Sequence, residues 1–173
     1  MGCQISIVSH SPDETAAWGR KLGTLLEAGD VIALIGELGA GKTTLAQGIA
    51  RGAGIPEESY IASPTFTLIN EYRGRVPLYH LDFYRIEGPS ECSGLGLEEY
   101  LGGAGVALIE WADKHEALLP RDRLMVRLAY LDETTRRAAV SATGDRSARL
   151  VRALQKMLPG MEGERNRAGT AEE

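Results

Sequence analysis

The segment Gly36-Glu37-Leu38-Gly39-Ala40-Gly41-Lys42-Thr43 constrains this chain more than any other stretch. Five apolar residues, Val31 to Ile35, precede it, and the run from Lys42 to about Gly52 sets Leu45, Ile49 and several alanines on one side of a helix. A short unbroken apolar run stopped by glycine reads as a strand buried on both faces, and such strands belong to sheets covered by helices on both sides. G-x-x-x-x-G-K-[ST] in a strand-to-helix setting is a loop that wraps phosphate. The residue types follow from the ligand. A triphosphate needs several N–H donors at close range, where side chains would obstruct it, and glycine tolerates the backbone angles of the wrap. The next helix adds unpaired amides and the positive end of its dipole. Lys42 is expected to reach the β and γ oxygens and Thr43 to ligate Mg²⁺ through its hydroxyl. Gly36, Glu37, Leu38, Gly39, Ala40, Gly41 and Thr44 complete the expected nucleotide loop.

Around this loop the chain alternates helices and strands. Ile5 to Val8 reads as a strand, and Ser11-Pro12-Asp13-Glu14 as a capped helix start with Glu14 closing a capping box. Trp18, Leu22, Leu25 and Leu26 form that helix's apolar face, and Gly29-Asp30 ends it. Phe66–Tyr72 and Val76–Leu81 flank Arg73-Gly74-Arg75 as a hairpin, and Leu124–Tyr130 and Arg137–Ala142 form a second. A short helix is expected over Leu95–Leu101, a buried strand over Val106–Ile109, and a last helix through Leu150, Val151, Leu154, Met157 and Leu158. The expected fold is α/β: a P-loop NTPase-like three-layer sandwich around a mixed, largely central sheet. Residues 1–158 read as one domain. Residues 159–173 hold no Val, Ile, Leu or aromatic residue and read as a disordered tail.

Composition removes other classes. The chain is 43% hydrophobic and 25% charged, with a net charge of −5, which suits a folded domain and not a broadly basic nucleic-acid binder. No run approaches the length of a membrane span. Cys3 and Cys92 make no metal spacing, consistent with a reducing cytoplasm. Of the 21 glycines, Gly36, Gly39 and Gly41 are assigned to phosphate approach, and Gly48, Gly52 and Gly54 to a weak or frayed helix end.

A metal beside the phosphates needs a carboxylate at a strand end, and Asp82 and Glu110 both qualify; the residues alone leave open which one holds Mg²⁺ and which orients water. No N-K-x-D guanine reader occurs, Asp82-Phe83-Tyr84-Arg85 is not D-x-x-G, and no L-S-G-G-Q is present, so adenine is the expected base. A small P-loop kinase remains an alternative. His80 reads as a satisfied sheet histidine and His115 as a surface one. Arg149, Arg152 and Lys156 share one helix face, which reads as solvated.

Four separated motifs then occur in order: the phosphate loop with Thr44, Ser63-Pro64-Thr65-Phe66-Thr67-Leu68, Tyr79-His80-Leu81-Asp82-Phe83-Tyr84-Arg85, and Ile109-Glu110-Trp111. Together they resemble the TsaE (YjeE) family of bacterial ATPases. The resemblance implies ATP and Mg²⁺ as cofactors, and slow hydrolysis acting beside TsaD and TsaB in making N6-threonylcarbamoyladenosine on tRNA. Contact with tRNA would be indirect or through that complex, in the cytoplasm, with no membrane involved. It also implies Thr43 and Glu110 as Mg²⁺ ligands, Asp82 as a second metal-side acid, Trp111 in turnover or coupling, and Thr65 as a γ-phosphate sensor. Ser11–Glu14 and Thr134–Arg136 resemble regions that enclose the adenine. A nucleotide-dependent interaction switch is the other reading kept open.

Overall fold

The computed structural model describes residues 2–158; the tail expected over 159–173 lies outside them. The strands are β1 (Gln4–Ser9), β2 (Val31–Ile35), β3 (Ile69–Tyr72), β4 (Leu78–Asp82), β5 (Val106–Glu110), β6 (Leu124–Tyr130) and β7 (Arg136–Ala142). They form one seven-stranded sheet in the order β1-β7-β6-β2-β5-β4-β3. The centre, from β6 through β2 and β5 to β4, is parallel. Both margins are antiparallel, through β4–β3 on one side and β6–β7–β1 on the other.

Five helices cover the sheet: α1 (Pro12–Leu25), α2 (Lys42–Gly52), α3 (Pro89–Gly94), α4 (Leu97–Tyr100) and α5 (Asp145–Met157), with a 3-10 stretch over Ala112–Leu118. Strand parity sorts the core into two layers, since alternate side chains leave opposite faces. Ile32, Leu34, Val106 and Leu108 pack with Leu22, Leu45, Ile49, Leu150 and Leu154 of α1, α2 and α5. Val31, Ala33, Ala107 and Ile109 pack on the other face with Phe83, Cys92, Leu97 and Leu119. Each fully buried Leu or Ile contributes about 1.5–3 kcal/mol relative to exposure. The three-layer α/β sandwich is therefore present.

Local corrections are instructive. Ser11 caps α1 by accepting from the Glu14 amide at 3.1 Å, but the Glu14 carboxylate takes the His10 amide at 2.6 Å instead of the Ser11 amide that a capping box would use. The first hairpin forms with β3 starting at Ile69 and not Phe66, because Pro64 to Leu68 makes a turn of its own, closed by the Leu68 amide on the Pro64 carbonyl at 2.7 Å. Helix α3, started by Pro89, was not expected from the sequence.

The assignment of Gly48 and Gly52 to a weak helix end is overturned. A Cβ on Gly48 would stand 2.3 Å from the Ala16 carbonyl oxygen, and one on Gly52 2.0 Å from that of Arg20. On the facing helix, a Cβ at Gly23 would stand 2.1 Å from the Ile49 carbonyl oxygen. Two Gly-x-x-x-Gly spacings, Gly19/Gly23 and Gly48/Gly52, thus let α1 and α2 meet backbone to backbone. That contact fixes the axis of the helix whose first turn carries Lys42 and Thr43. A helical Gly→Ala change ordinarily stabilises by roughly 0.5–1 kcal/mol. Gly52→Ala is expected to reverse that sign and destabilise by about 1–3 kcal/mol through overpacking. Gly94→Ala, where nothing lies within 4 Å, should not. Thermal unfolding of the two variants decides; a raised melting temperature for Gly52→Ala would contradict the close approach.

Candidate functional site

The site stands where β2, β4 and β5 end. Leu34 pairs with Glu110 and Asp82 pairs with Glu110, so these neighbouring parallel strands finish in step. By parity the Asp82 and Glu110 side chains leave the same face as Leu108, the face that α2 covers. Both carboxylates are buried, at 1% and 2% exposure. Phosphate-loop residues 36–41 bridge β2 to α2. Gly39 and Gly41 sit at φ 80° and 102°, a region that disfavours side chains, and Gly41 is the N-cap of α2. Gly36 has a different reason to be glycine: a Cβ there would stand 2.7 Å from the Leu128 carbonyl oxygen on β6. Packing against β6 is by itself enough to require glycine there.

The structure brings most of the expected residues together. The Thr43 hydroxyl lies 3.3 Å from each Glu110 carboxylate oxygen. Asp82 leaves the same face but has different partners. Its Oδ2 accepts from the hydroxyls of Ser63 at 3.2 Å and Thr65 at 3.0 Å, and its Oδ1 accepts from the Tyr84 amide at 2.7 Å. Thr43 and Glu110 therefore form one polar pair, while Asp82 anchors the 63–67 segment. Lys42 is 5% exposed and donates to the carbonyls of Gly36 at 2.5 Å and Glu37 at 2.8 Å. Its ammonium also sits 4.1 Å from the centre of the Trp111 ring. Trp111 itself adopts left-handed backbone, φ 56°, and touches Tyr84 with ring centres 4.9 Å apart. Thr44 is half-buried on the first turn of α2, and Glu37 and Leu38 lie exposed at the loop tip.

Of the two regions expected near the adenine, one touches the loop. Arg136 donates to the Gly39 carbonyl at 3.4 Å, and the Tyr130 hydroxyl on the neighbouring strand donates to the Leu38 carbonyl at 3.1 Å. Arg136 also pairs with Ser9 at the end of β1, which leads into α1.

Among the described residues, no three His, Cys, Asp or Glu side chains gather into a self-sufficient metal site. The donors on offer are a hydroxyl and carboxylates, all hard oxygen ligands. That set suits Mg²⁺, which keeps waters and borrows phosphate oxygens, better than a transition metal.

A family model described as threonylcarbamoyl adenosine biosynthesis protein TsaE matches residues 9–138. The chain belongs to the TsaE family. Proteins named tRNA threonylcarbamoyladenosine biosynthesis protein TsaE are 43% identical in Bacillus subtilis, covering 84% of this chain and 90% of that protein, and 42% identical in Treponema pallidum, covering 78% and 98%. A Nostoc relative of the same name is 48% identical over 75% of this chain and 80% of its own length. The crystal structure of Bacillus subtilis YdiB superposes with a TM-score of 0.79 at 37% identity, covering 91% of this chain and 97% of that one.

Within this TsaE frame, two histidines depart from their sequence readings. His115 is not a free surface residue: its Nε2 lies 2.8 Å from the Ile86 carbonyl, and its ring meets Phe83 edge-on at 5.9 Å. His80 is fully buried with Nε2 2.8 Å from Glu110 Oε1, while its Nδ1 has no partner among the described residues. The sequence signal for this contact was spacing: His80 and Asp82 are two apart on one strand, so they share a face with Glu110.

Burial pulls the Lys42 pKa below the ordinary lysine value, against the opposing pull of Glu110, Asp82, Asp113 and Glu37. The unfolded chain therefore binds this proton more tightly than the folded one. Lys42 costs stability while charged, and that cost is relieved as pH rises through its lowered folded value toward 10.5. Without nucleotide, Lys42→Met is accordingly expected to melt at or above the temperature of the unsubstituted protein at neutral pH. A clear drop in melting temperature would show that its two carbonyl hydrogen bonds outweigh the desolvation.

Proposed function

We propose that the chain is a Mg²⁺-dependent ATPase that supports N6-threonylcarbamoyladenosine formation on tRNA by acting with TsaD and TsaB, without transferring the threonylcarbamoyl group itself. The observation that carries the ATPase reading is the Thr43–Glu110 pair at the mouth of a complete phosphate loop. The loop amides and the first turn of α2 bind the phosphates. Lys42 exchanges its two carbonyl acceptors for phosphate oxygens. Thr43 and Glu110 hold Mg²⁺, which when bound offsets charge on the phosphate oxygens. Asp82, bonded to both Ser63 and Thr65, ties the 63–67 segment to the metal side, so that Thr65 can sense the γ-phosphate. Trp111 covers Lys42 and excludes water from it.

Adenine as the base rests on the absence of a guanine-reading motif in the sequence and on the contact of Arg136 with the loop at Gly39. Action with partners is supported by the site's rim. Leu38 and Phe66 are 79% and 80% exposed, and Tyr84 and Tyr130 are each 46% exposed. Apolar groups grouped around a polar cleft mark a surface that another protein covers. Such a partner can also bring an arginine to the phosphates, a group worth 10³–10⁵ in rate in related phosphoryl transfers. No helix among the described residues is long and apolar enough to cross a membrane.

Lys42→Ala is expected to abolish nucleotide binding. Glu110→Ala should retain some ATP binding and lose turnover, as read by calorimetry and phosphate release. Normal hydrolysis by both variants would overturn the assignment. The exposure of Phe66 and Thr67 favours a second reading, in which ATP binding alone orders residues 63–67 for docking. Full tRNA modification with a non-hydrolysable ATP analogue would select it.

A further inference from the structure

His80 was expected to be a satisfied core residue, yet half of its hydrogen-bonding capacity is spent on Glu110 and the other half on nothing. We infer that His80 is a positioning residue for Glu110, holding Oε1 so that the carboxylate stays turned to Thr43 and Oε2 is left free for the cation. The inference rests on the Mg²⁺–ATP reading of the site.

The geometry begins in the register. His80 lies opposite Leu108 on β5, and Asp82 lies opposite Glu110, so His80 is the diagonal neighbour of Glu110 on the same sheet face. At that offset only a long side chain reaches across. The contact is 2.8 Å, with side-chain exposures of 1% and 3%. Glu110 has no lysine or arginine partner of its own among the described residues. Its other side-chain hydrogen-bond partner among the described residues is the Thr43 hydroxyl, equidistant from both oxygens at 3.3 Å. His80 is therefore the one group that distinguishes Oε1 from Oε2.

The unpartnered Nδ1 fixes the direction of that bond. A proton on Nδ1 would be a buried donor without an acceptor, the costlier kind of orphan. The hydrogen consequently sits on Nε2 and is donated to Glu110 Oε1. Outer-shell donors of this kind orient metal-holding carboxylates, and their loss typically costs 10–100-fold in metal affinity or activity. On the other edge of β4, Asn70 faces His80 but spends its side chain on the Thr67 hydroxyl and the Ala62 carbonyl. Nothing else in that environment competes for the imidazole.

The test compares His80→Leu, His80→Asn and His80→Gln with the unsubstituted protein. Binding of a non-hydrolysable ATP analogue is followed by calorimetry across a Mg²⁺ titration, beside hydrolysis and melting temperature. Gln can place an N–H near the Nε2 position, whereas the shorter Asn cannot. We expect His80→Leu and His80→Asn to need at least ten-fold more Mg²⁺ for half-maximal binding. Analogue affinity without Mg²⁺ should stay within two-fold, and His80→Gln should restore the Mg²⁺ requirement to within about three-fold. If Leu and Asn lower the melting temperature but leave the Mg²⁺ requirement unchanged, His80 is packing only and the inference is wrong. If His80→Leu does not fold, the Asn–Gln contrast alone decides, and equal Mg²⁺ requirements for those two overturn it. Absence of any Mg²⁺ dependence in the unsubstituted protein would instead defeat the functional reading on which the inference rests.

Discussion

The common finishing line of β2, β4 and β5 governs everything at this site. Parallel strands in register present side chains of equal parity on one face at one level, so Asp82 and Glu110 emerge side by side. The same alignment delivers the phosphate loop from the end of β2 to that level, because Leu34 is also level with Glu110. Ligands of open α/β sheets gather outside the carboxyl ends of the strands for this reason. A slip of one residue between β4 and β5 would send Asp82 or Glu110 into the opposite apolar layer with Phe83 and Ile109, at the cost of an unpaired buried charge.

The second requirement is that α2 start in the right place, and here the glycines act as spacers more than as hinges. Gly19, Gly23, Gly48 and Gly52 remove the side chains that would hold α1 and α2 apart. Gly36 does the same between the phosphate loop and β6. Only Gly39 and Gly41 within the loop owe their identity to backbone angle. The backbone entropy cost of these five glycines is thus offset by bringing backbones close enough to fix Lys42 and Thr43 above Glu110.

Much of this was legible beforehand because the relevant signals are local. The apolar run of β2, the loop and the helical stripe of α2 lie contiguously, and the structure reproduces Val31–Ile35 and Lys42–Gly52 as read. Asp82 and Glu110 were recognisable as strand-end acids, since the end of a buried strand shows in the pattern itself. Their division of labour was not legible: it depends on which neighbour each meets across 67 residues for Thr43–Glu110 and 17 for Thr65–Asp82. Gly48 and Gly52 were misread for a similar reason. Inside one helix a glycine only weakens it, and the compensating Ala16 and Arg20 carbonyls belong to another helix. The turn at Pro64–Leu68 escaped because Leu68 adopts φ 67°, a conformation its residue type gives no reason to expect.

On the proposed reading, charge balance gives nucleotide and cation a reason to bind together. Asp82 and Glu110 stand beside Lys42 almost fully desolvated, at 1% and 2% exposure. A triphosphate alone would bring further negative charge against these acids, and a low-dielectric surround magnifies that repulsion. The loop amides and the helix dipole would offset only part of it. A divalent cation held by Thr43 and Glu110 would offset the rest. On that reading the two buried acids would favour nucleotide that arrives with its metal over nucleotide that arrives alone.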